Sequence, residues 1–540
     1  MNQRRQNSQT PDFARSQHLD ASARAAFNVQ RSDESLTDFY QRLGERSDRE
    51  DLVMFINACF AATRQNEFYT DRFEQTVSIE FLHRYVMTNY RRIYARSLAA
   101  GINHFNQAEI ILNLLQSGAP DDPEQRNEEG KLIQSALRTL PPNRVFRIFK
   151  SLQTRRINNR RSRAVVKRYL EWRVKPEFDA VKYGRKLRAA ATHCHLKLEG
   201  ELGPFLFKFK KTKSFQSDLF DRYKKAYYSE SVIYELPFTV AESLATRHQV
   251  PRDVFLRKIE HKMTAAEKFR YQTAASKVKG AQIDFDLGRA SLTRLAIYVL
   301  SLPVEQRAER VRELAQAFEK SVMSTLRSSP LHLGRVAAVL DRSRSSEGSR
   351  QKRNRPLAVA VAINELLKQA SDQYKAFWTE PIQGEPDFMV TPQGQTAIAD
   401  RIIDALQWQP DLLLIVSDGY ENDPPGAADQ VLRIFSQRIA NQGRPTQPDR
   451  SPTQAPRIVC PEVVHLNPVF DSDHYAPKPF GETIATVGIR DARDLATMLG
   501  FSRFASGMAK LDVLENHLEQ LAGKLIDKVA GDSKLEALNE

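Results

Sequence analysis

Hydrophobic residues recur at three- and four-residue spacings from about residue 31 to Leu326, which is the period of amphipathic helices. Gly and Pro residues stand at the ends of several of these periodic segments. In the first of them, Ser47 and Glu50 have the spacing of a capping box, which predicts that a helix begins at Ser47. Segments with this period are residues 47–65, 78–101, 106–120 and 141–153, and the clearest is 303–326.

A single long helix is predicted between Pro303 and Leu326. Proline suits the first helical position because its missing N–H has no partner there. An apolar stripe follows at helical spacing, formed by Val304, Ala308, Val311, Ala315, Phe318 and Val322. Successive amphipathic helices with short turns are typical of stacked helix pairs, so we predict an all-α, HEAT-like helical repeat or ring over residues 31–328, although no strict sequence repeat is present.

Beyond Pro330 the pattern changes to short apolar strands that alternate with amphipathic helices, which is typical of a doubly wound parallel sheet. The predicted strands are residues 335–341, 373–380, 411–418, 457–468 and 483–489. The predicted helices are residues 354–371, 396–408, 427–441 and 511–529, with a loop at 441–456. We assign this Rossmann-like α/β domain to residues 330–525, a disordered arm to 1–30 and a polar tail to 526–540.

The composition is that of an ordinary globular protein. Of 540 residues, 41% are hydrophobic and 27% charged, and no apolar run approaches the roughly 20 residues of a membrane span. The length predicts two or more hydrophobic cores. Three widely separated cysteines and a polar N-terminus favour a cytoplasmic protein without disulfides. The net charge of +14 would attract phosphate backbones or acidic proteins.

Oxygen-bearing side chains follow the ends of two predicted strands and precede a predicted helix. Asp341, Ser343 and Ser345 form a D-x-S-x-S motif after the first strand, Asp418 ends a buried strand, and Thr396 begins a helix. Ligands of open α/β sheets bind where the carboxyl ends of strands converge. Because Mg²⁺ prefers about six oxygen ligands, these loops predict a site for Mg²⁺ or another divalent cation. The alternative is that both aspartates merely end strands and that the hydroxyls cap the following helices.

This constellation resembles the metal-ion-dependent adhesion site of von Willebrand factor A domains. The resemblance implies hydroxyl ligands at Ser343, Ser345 and Thr396 and acidic ligands at Asp341 and Asp418. The sequence departs from the family in two ways. Arg342 and Arg344 stand where small or apolar residues are usual, and a polar stretch at 347–355 delays the first helix.

The densest positive charge lies in residues 154–188, with thirteen Lys or Arg residues against three acids. Such a surface can neutralise several phosphates, with Tyr169, Trp172 or Tyr183 available for base stacking. The alternative is a solvated helix face with Tyr169 and Trp172 in the core. The predicted RNA-binding residues are Arg155, Arg156, Arg160, Arg161, Arg163, Lys167, Arg168, Lys182, Arg185, Lys186 and Arg188.

A basic helical region followed by a von Willebrand A-type domain resembles the Ro autoantigen family, in which a TROVE module of HEAT-like helices binds small noncoding RNAs. Residues 179–198 and 486–504 are locally similar to segments of that family. The resemblance implies structured RNA on an outer basic face and single-stranded ends in the cavity of a ring. It therefore predicts a distant relative that acts as a scaffold in RNA quality control.

Two other functions stay open at this point. The chain could be a metal-dependent platform or adaptor, in which the cation accepts a Glu or Asp of an acidic protein partner such as an AAA+ ATPase or a member of a bacterial conflict system. A metal-assisted hydrolase is the third hypothesis. We find no Walker motif, no G-x-S-x-G, no H-E-x-x-H and no positioned general base, so the sequence predicts a protein that is not an enzyme.

Overall fold

The structure is a computed structural model that describes residues 36–275, 285–381, 386–442, 460–481 and 484–538. The predicted arm at 1–30 and most of the predicted loop at 441–456 lie outside these ranges. Among the described residues, no helix combines the length and apolarity that crossing a bilayer requires.

The part of the chain before the first strand is helical, as predicted. Its α-helices are α1 (Leu36–Ala61), α2 (Arg72–Asn89), α3 (Arg91–Arg96), α4 (His104–Gln116), α5 (Pro123–Thr139), α6 (Pro142–Thr154), α7 (Arg160–Trp172), α8 (Pro176–His193), α9 (Leu202–Lys208), α10 (Asp218–Tyr228), α11 (Phe238–Arg247), α12 (Arg252–Ile259), α13 (Ala265–Ala275), α14 (Leu292–Ser301), α15 (Val304–Glu309) and α16 (Val311–Ser328).

Helices in the first half of this array pack against the next helix but one, from α2 with α4 through to α6 with α8. Local sequence sets where several of them begin. The side chains of Asn103, Asp122 and Asn159 accept hydrogen bonds from the first-turn amides of α4, α5 and α7. Pro123 also occupies the first position of α5. Alternate helices in this part of the array therefore lie in the same layer, and several of them begin at a side-chain cap.

Two helix boundaries differ from the prediction. Helix α1 begins at Leu36, so Ser47 lies inside it and is not a cap. The segment 303–326 is not one helix, because Arg310 leaves helical geometry and separates α15 from α16. Phe318 and Val322 are buried as predicted, whereas Val304 and Ala315 are exposed. Because of this break, the buried face of α16 is rotated relative to the predicted stripe and begins at Leu314.

The second part of the chain contains a five-stranded parallel sheet in the order β2-β1-β3-β4-β5. Helices pack on both of its faces, so the predicted α/β architecture is confirmed. Its elements are β1 (Leu333–Leu340), α17 (Arg355–Ala370), β2 (Ser371–Trp378), α18 (Ile398–Gln407), β3 (Leu412–Val416), α19 (Ala427–Gln442), β4 (Glu462–Asn467), β5 (Ala485–Gly488), α20 (Leu495–Ala505) and α21 (Leu511–Leu538).

The hydrophobic core divides at the sheet and not at the junction between the two parts. Buried residues of the helical array, of α17 and of one sheet face form one continuous cluster. A smaller cluster lies between the other face and helices α18 and α19. The prediction of two or more hydrophobic cores is therefore confirmed, but the larger core spans both parts of the chain. The helical array and the sheet share one core, which predicts that they unfold together.

The last helix also differs from the prediction. Helix α21 was predicted over residues 511–529, as the closing helix of the α/β domain, with the domain boundary at residue 525 and a polar tail after it. It instead continues to Leu538 and packs on α3 and α5 of the helical array, where Glu519 forms an ion pair with Arg96 at 3.2 Å. The boundary at residue 525 thus falls inside a helix that belongs to the array by its contacts.

Both ends of the helical array contact the α/β part. At the start, the Asn57 side chain of α1 donates to the Thr486 carbonyl (2.9 Å) and accepts from the Gly488 amide (3.0 Å), both at the edge strand β5. At the other end, α14 and α16 pack on α17, and buried Arg307 donates to the carbonyls of Phe388 and Val390. The sheet therefore joins the two ends of the array.

A buried histidine in the sheet predicts acid sensitivity. Burial lowers the pKa of His465 to about 3, and its ring nitrogens bond to the Thr486 hydroxyl and the Ser417 carbonyl. A histidine with a depressed pKa contributes stability that is present above its unfolded value, about 6.5, and is lost as the pH falls toward 3. Between pH 7 and pH 4.5, we expect this one group to cost the wild type about 2 to 3 kcal/mol in the free energy of unfolding.

Urea unfolding at the two pH values measures this cost. The variant His465→Asn should be less stable at pH 7 but should lose less stability between pH 7 and pH 4.5 than the wild type. Equal losses in the two proteins would show that other groups cause the acid sensitivity.

Candidate functional site

The two aspartates predicted as metal ligands meet at the carboxyl edge of the sheet. Strands β1 and β3 are adjacent and parallel, with Leu340 opposite Val416, so Asp341 and Asp418 leave the sheet side by side. The strand order reverses at this point, which is where open α/β sheets form a crevice. Both carboxylates are buried. Gly419 follows with φ +82°, and a Cβ there would lie 2.4 Å from the Lys478 carbonyl oxygen, so only glycine fits.

The predicted hydroxyl ligands surround these carboxylates. The Ser343 amide donates to Asp341 Oδ1 (2.7 Å), and the hydroxyls of Ser343 and Ser345 lie 3.0 Å apart. The Ser345 hydroxyl also hydrogen-bonds to Asp418. The structure thus brings four of the five predicted ligands into one hydrogen-bonded group.

Thr396, the fifth predicted ligand, is buried in a neighbouring loop. Its amide donates to Asn422 Oδ1 at 2.9 Å. That loop is attached to the D-x-S-x-S loop by backbone hydrogen bonds from Arg344 to Gly394 (3.2 Å) and from Gln393 to Arg342 (2.8 Å). The loop that carries Thr396 is therefore fixed beside the other four residues.

The donor set fits a hard cation. Burial, and secondly the charge of Asp418, raises the pKa of Asp341 to about 7, and burial also raises the pKa of Asp418. The buried hydroxyl of Ser346 has no hydrogen-bond partner and lines the same small cavity as the two carboxylates. Within the described ranges no group of three or more His, Cys, Asp or Glu side chains is placed to bind a metal. A cation here would rest on two carboxylates and several hydroxyls, the ligand chemistry that Mg²⁺ prefers.

The arginines that depart from the family pattern point away from this group. The guanidinium of Arg342 is buried and donates to the carbonyls of Thr391 and Glu380, at 3.3 Å each. Arg344 is exposed. Among the described residues neither guanidinium hydrogen-bonds to the two carboxylates, so these two substitutions do not place a cation on the oxygen donors.

One residue of the helical array contacts the site and was missed from the sequence. Tyr69, between α1 and α2, donates its hydroxyl to Asp418 Oδ2 at 3.2 Å. Its ring lies on that of Tyr420, with centroids 3.9 Å apart. Nothing in the sequence around Tyr69 signals this role, because the contact joins residues 349 positions apart.

The predicted RNA-binding residues divide into exposed and structural side chains. Arg155 pairs with Glu109 (2.5 Å), and Arg161 donates to Glu129 (2.6 Å) and to the carbonyls of Leu114 and Gly118. Lys182 and Lys186 are half-buried. The exposed members are Arg156, Arg160, Arg163, Lys167, Arg168, Arg185 and Arg188. Arg160, Arg163 and Lys167 follow one face of α7, which we call the α7 basic face.

The candidate stacking aromatics are mostly packed. Tyr169 is buried against Phe146 and Phe149, so it belongs to the core. Trp172 is half-buried between the guanidinium groups of Arg138 and Arg173. Their placement matches the alternative in which these rings support the helix and leave the cations to face solvent.

A second group of cations, of which only Lys186 was predicted from the sequence, surrounds His104. Desolvation lowers the pKa of His104, and the charges of Arg490, Arg144, Arg493 and Arg294 lower it further. Arg147 similarly lowers the pKa of Lys186 after desolvation, and it lies close to Arg144. Arg490 and Arg493 are paired with Asp494 and Asp491. We call these cations the junction cluster, because they come from α6, α8, α14 and the segment after β5 and surround His104 of α4.

Comparison with known proteins identifies the fold. No protein-family model matches the chain, and no curated protein matches it in sequence. Among solved structures, the crystal structure of the Deinococcus radiodurans RO (RSR) protein superposes on it with a TM-score of 0.51 and 11% identity, covering 85% of this chain and 100% of that chain. The chain has the Ro fold. The resemblance predicted from the sequence is therefore confirmed at the level of the fold.

The match includes both parts of this chain, since it covers 85% of its length. The helical array, the parallel sheet and their shared core are thus one arrangement. At 11% identity few side chains are held in common, so the site residues rest on the geometry described above.

Proposed function

We propose that this protein is a noncatalytic RNA-binding scaffold, a distant relative of the Ro proteins. The observation that carries the proposal is the match of the Ro fold over the whole length of a solved RO protein. In this proposal the helical array is a HEAT-like TROVE module and the α/β part is a von Willebrand factor A domain. The expected partner is a small noncoding RNA, and the expected compartment is the cytoplasm.

Two positive surfaces support RNA as the partner. The α7 basic face presents Arg160, Arg163 and Lys167 to solvent at a helical spacing suited to successive phosphates. The junction cluster concentrates further cations, of which Arg144, Arg147 and Arg294 are exposed. In this proposal the first surface binds structured RNA and the second a single strand, because a flexible unpaired backbone can follow cations that come from several elements.

The metal site is part of the same proposal. Asp341, Ser343, Ser345, Thr396 and Asp418 would hold Mg²⁺ or another divalent cation. Its contribution would be electrostatic, since a cation neutralises two buried carboxylates and ties three loops together. The chain's own residues orient this group through the Ser417 hydroxyl, which donates to Asp341 Oδ2 at 3.1 Å, and through Asn467, which donates to the Asp418 carbonyl at 2.9 Å.

RNA recovered with the protein tests the function. The protein is purified from its cells without nuclease after ultraviolet crosslinking, and the attached nucleic acid is sequenced. We expect a few discrete small RNAs. Recovery of no enriched RNA, together with protein partners that a chelator or Asp341→Ala releases, would overturn the proposal in favour of the metal-dependent platform.

The junction cluster gives a separate prediction. The double variant Arg144→Glu/Arg147→Glu should bind a single-stranded oligoribonucleotide roughly tenfold more weakly, because two phosphate contacts are replaced by repulsion. Its affinity for a blunt RNA hairpin should stay within about twofold of the wild type. Fluorescence anisotropy with the two labelled RNAs measures both values. Equal losses for both RNAs would contradict the assignment of the cluster to single strands.

A further inference from the structure

A short segment of the helical array docks on the loop that follows the D-x-S-x-S motif. We call residues 65–69, between α1 and α2, the docking segment. Gln65 and the Asn66 amide donate to the carbonyl and side-chain oxygens of Gln351, at 3.0 and 2.9 Å, and the Ser349 hydroxyl donates to the Asn66 carbonyl. The polar stretch at 347–355, which departs from the family pattern, is therefore an internal interface.

A buried ion pair anchors the centre of this interface. Glu67 of the docking segment pairs with Lys352, and both side chains are almost completely buried. Lys352 also reaches the Ala61 carbonyl at the end of α1. The docking segment thus cannot leave the α/β part without exposing or separating this pair.

At its end, the docking segment places a phenol on the metal site. The Tyr69 hydroxyl lies 3.2 Å from Asp418 Oδ2 and also hydrogen-bonds to Ser345. The ring is held between Phe68, edge-on at 4.8 Å, and Tyr420 at 3.9 Å. Tyr69 touches two of the five proposed ligands and is itself fixed on two sides.

We propose that Tyr69 closes the cation site from the helical array, and that the bound cation is an internal latch that holds the docking segment on the α/β part. This inference rests on the proposed metal site. In this proposal the cation links two parts of the same chain. It does not bind an acidic side chain of a protein partner.

Cation binding and attachment of the docking segment stabilise each other for a direct physical reason. The phenol oxygen is a neutral, hard donor beside two anionic ones, so it can face a cation without adding charge. A cation that binds more tightly when Tyr69 is docked shifts the equilibrium towards the docked state, by at most the ratio of its affinities for the docked and undocked states. Docking raises the affinity for the cation by the same factor. A partner's carboxylate would have to displace a tyrosine that is stacked, hydrogen-bonded and tethered by the Glu67–Lys352 pair.

Hydrogen exchange of the full-length protein tests the latch. The variants are Tyr69→Phe and, as a matched control, Tyr90→Phe, which removes another phenol that donates to a carboxylate, Asp48 at 2.6 Å. Exchange of peptides covering residues 63–71 is compared with and without Mg²⁺, and Mn²⁺ affinity is measured by electron paramagnetic resonance. In wild type and Tyr90→Phe, we expect Mg²⁺ to slow exchange about tenfold. In Tyr69→Phe, we expect Mn²⁺ to bind roughly threefold to tenfold more weakly and protection by Mg²⁺ to fall below about threefold.

The outcomes separate the latch from the metal site on which it rests. If Tyr69→Phe binds Mn²⁺ as tightly as the wild type and shows the same protection, the latch is overturned while the metal site stands. If the wild type binds no more Mn²⁺ than Asp341→Ala does, the metal site itself fails and the latch fails with it. Weakened binding and lost protection confined to Tyr69→Phe support the latch.

Discussion

Replacing Arg160, Arg163 and Lys167 together with glutamate should lower the affinity for structured RNA by on the order of a hundredfold at 0.15 M salt. All three side chains are exposed on one face of α7, so charge reversal removes phosphate contacts without removing buried contacts. The slope of log affinity against log salt should also become shallower by roughly three, one for each lost phosphate contact. Fluorescence anisotropy at several salt concentrations measures both changes.

A second triple variant controls for net charge. Lys510, Lys524 and Lys528, before and along α21, are also exposed, and their replacement by glutamate changes the total charge equally. Because α21 packs at another part of the array, we expect at most about a threefold loss there, from the weaker long-range field. Equal losses in the two variants would mean that net charge, and not the α7 basic face, governs binding.

The choice of residues shows what charge in a sequence can and cannot predict. Residues 154–188 were identified because cations outnumber acids locally, which measures composition along the chain. Arg155 and Arg161 nevertheless meet acids from other helices, Glu109 and Glu129. Since those acids lie 46 and 32 positions earlier, a local count does not detect them. A charge-reversal test that included Arg161 would damage the fold and would be read wrongly as lost RNA binding.

The candidate metal site was predictable because the apolar runs in the sequence mark where the strands end. Each strand ends where its apolar run ends, and parallel strands end at one edge, so Asp341 and Asp418 had to lie together. The closure of that site was not predictable. Tyr69 reaches it through a loop whose position depends on the packing of α1 against β5, which no local pattern encodes.

The packing of α21 illustrates the same limit at the level of the fold. Its amphipathic period predicts a helix with an apolar face but not the surface that the face covers. Either the sheet or the helical array offers apolar surface, and both belong to one core. The ion pair between Arg96 and Glu519 and the packing of α21 on α3 and α5 show that its apolar face covers the array.

The variant Lys352→Met should destabilise the protein by about 3 to 5 kcal/mol at pH 8. Burial lowers the pKa of Lys352 and raises that of Glu67, and each charge opposes the shift of the other; Arg355 adds a smaller opposing charge for Glu67. Methionine fills the space of the lysine stem and leaves the Glu67 carboxylate buried without its cation. Urea unfolding measures the loss, and Lys225→Met, at an exposed pair with Asp221, should leave the midpoint unchanged.

The pH dependence of that loss distinguishes the charge from packing. Without Lys352, the pKa of Glu67 should rise further above its unfolded value, because the cation that lowers it is gone. A carboxylate with a raised pKa costs nothing below the unfolded value, about 4.5, and destabilises progressively as the pH rises through the folded value. The penalty of Lys352→Met should therefore be smaller at pH 5 than at pH 8. In the double variant Glu67→Gln/Lys352→Met neither member of the pair is charged, so its penalty at pH 8 should be smaller than that of Lys352→Met, and its stability should carry no pH dependence from this pair. A penalty that is equal at both pH values in both variants would mean that the docking segment is held by shape alone, and that the buried pair contributes nothing to its attachment.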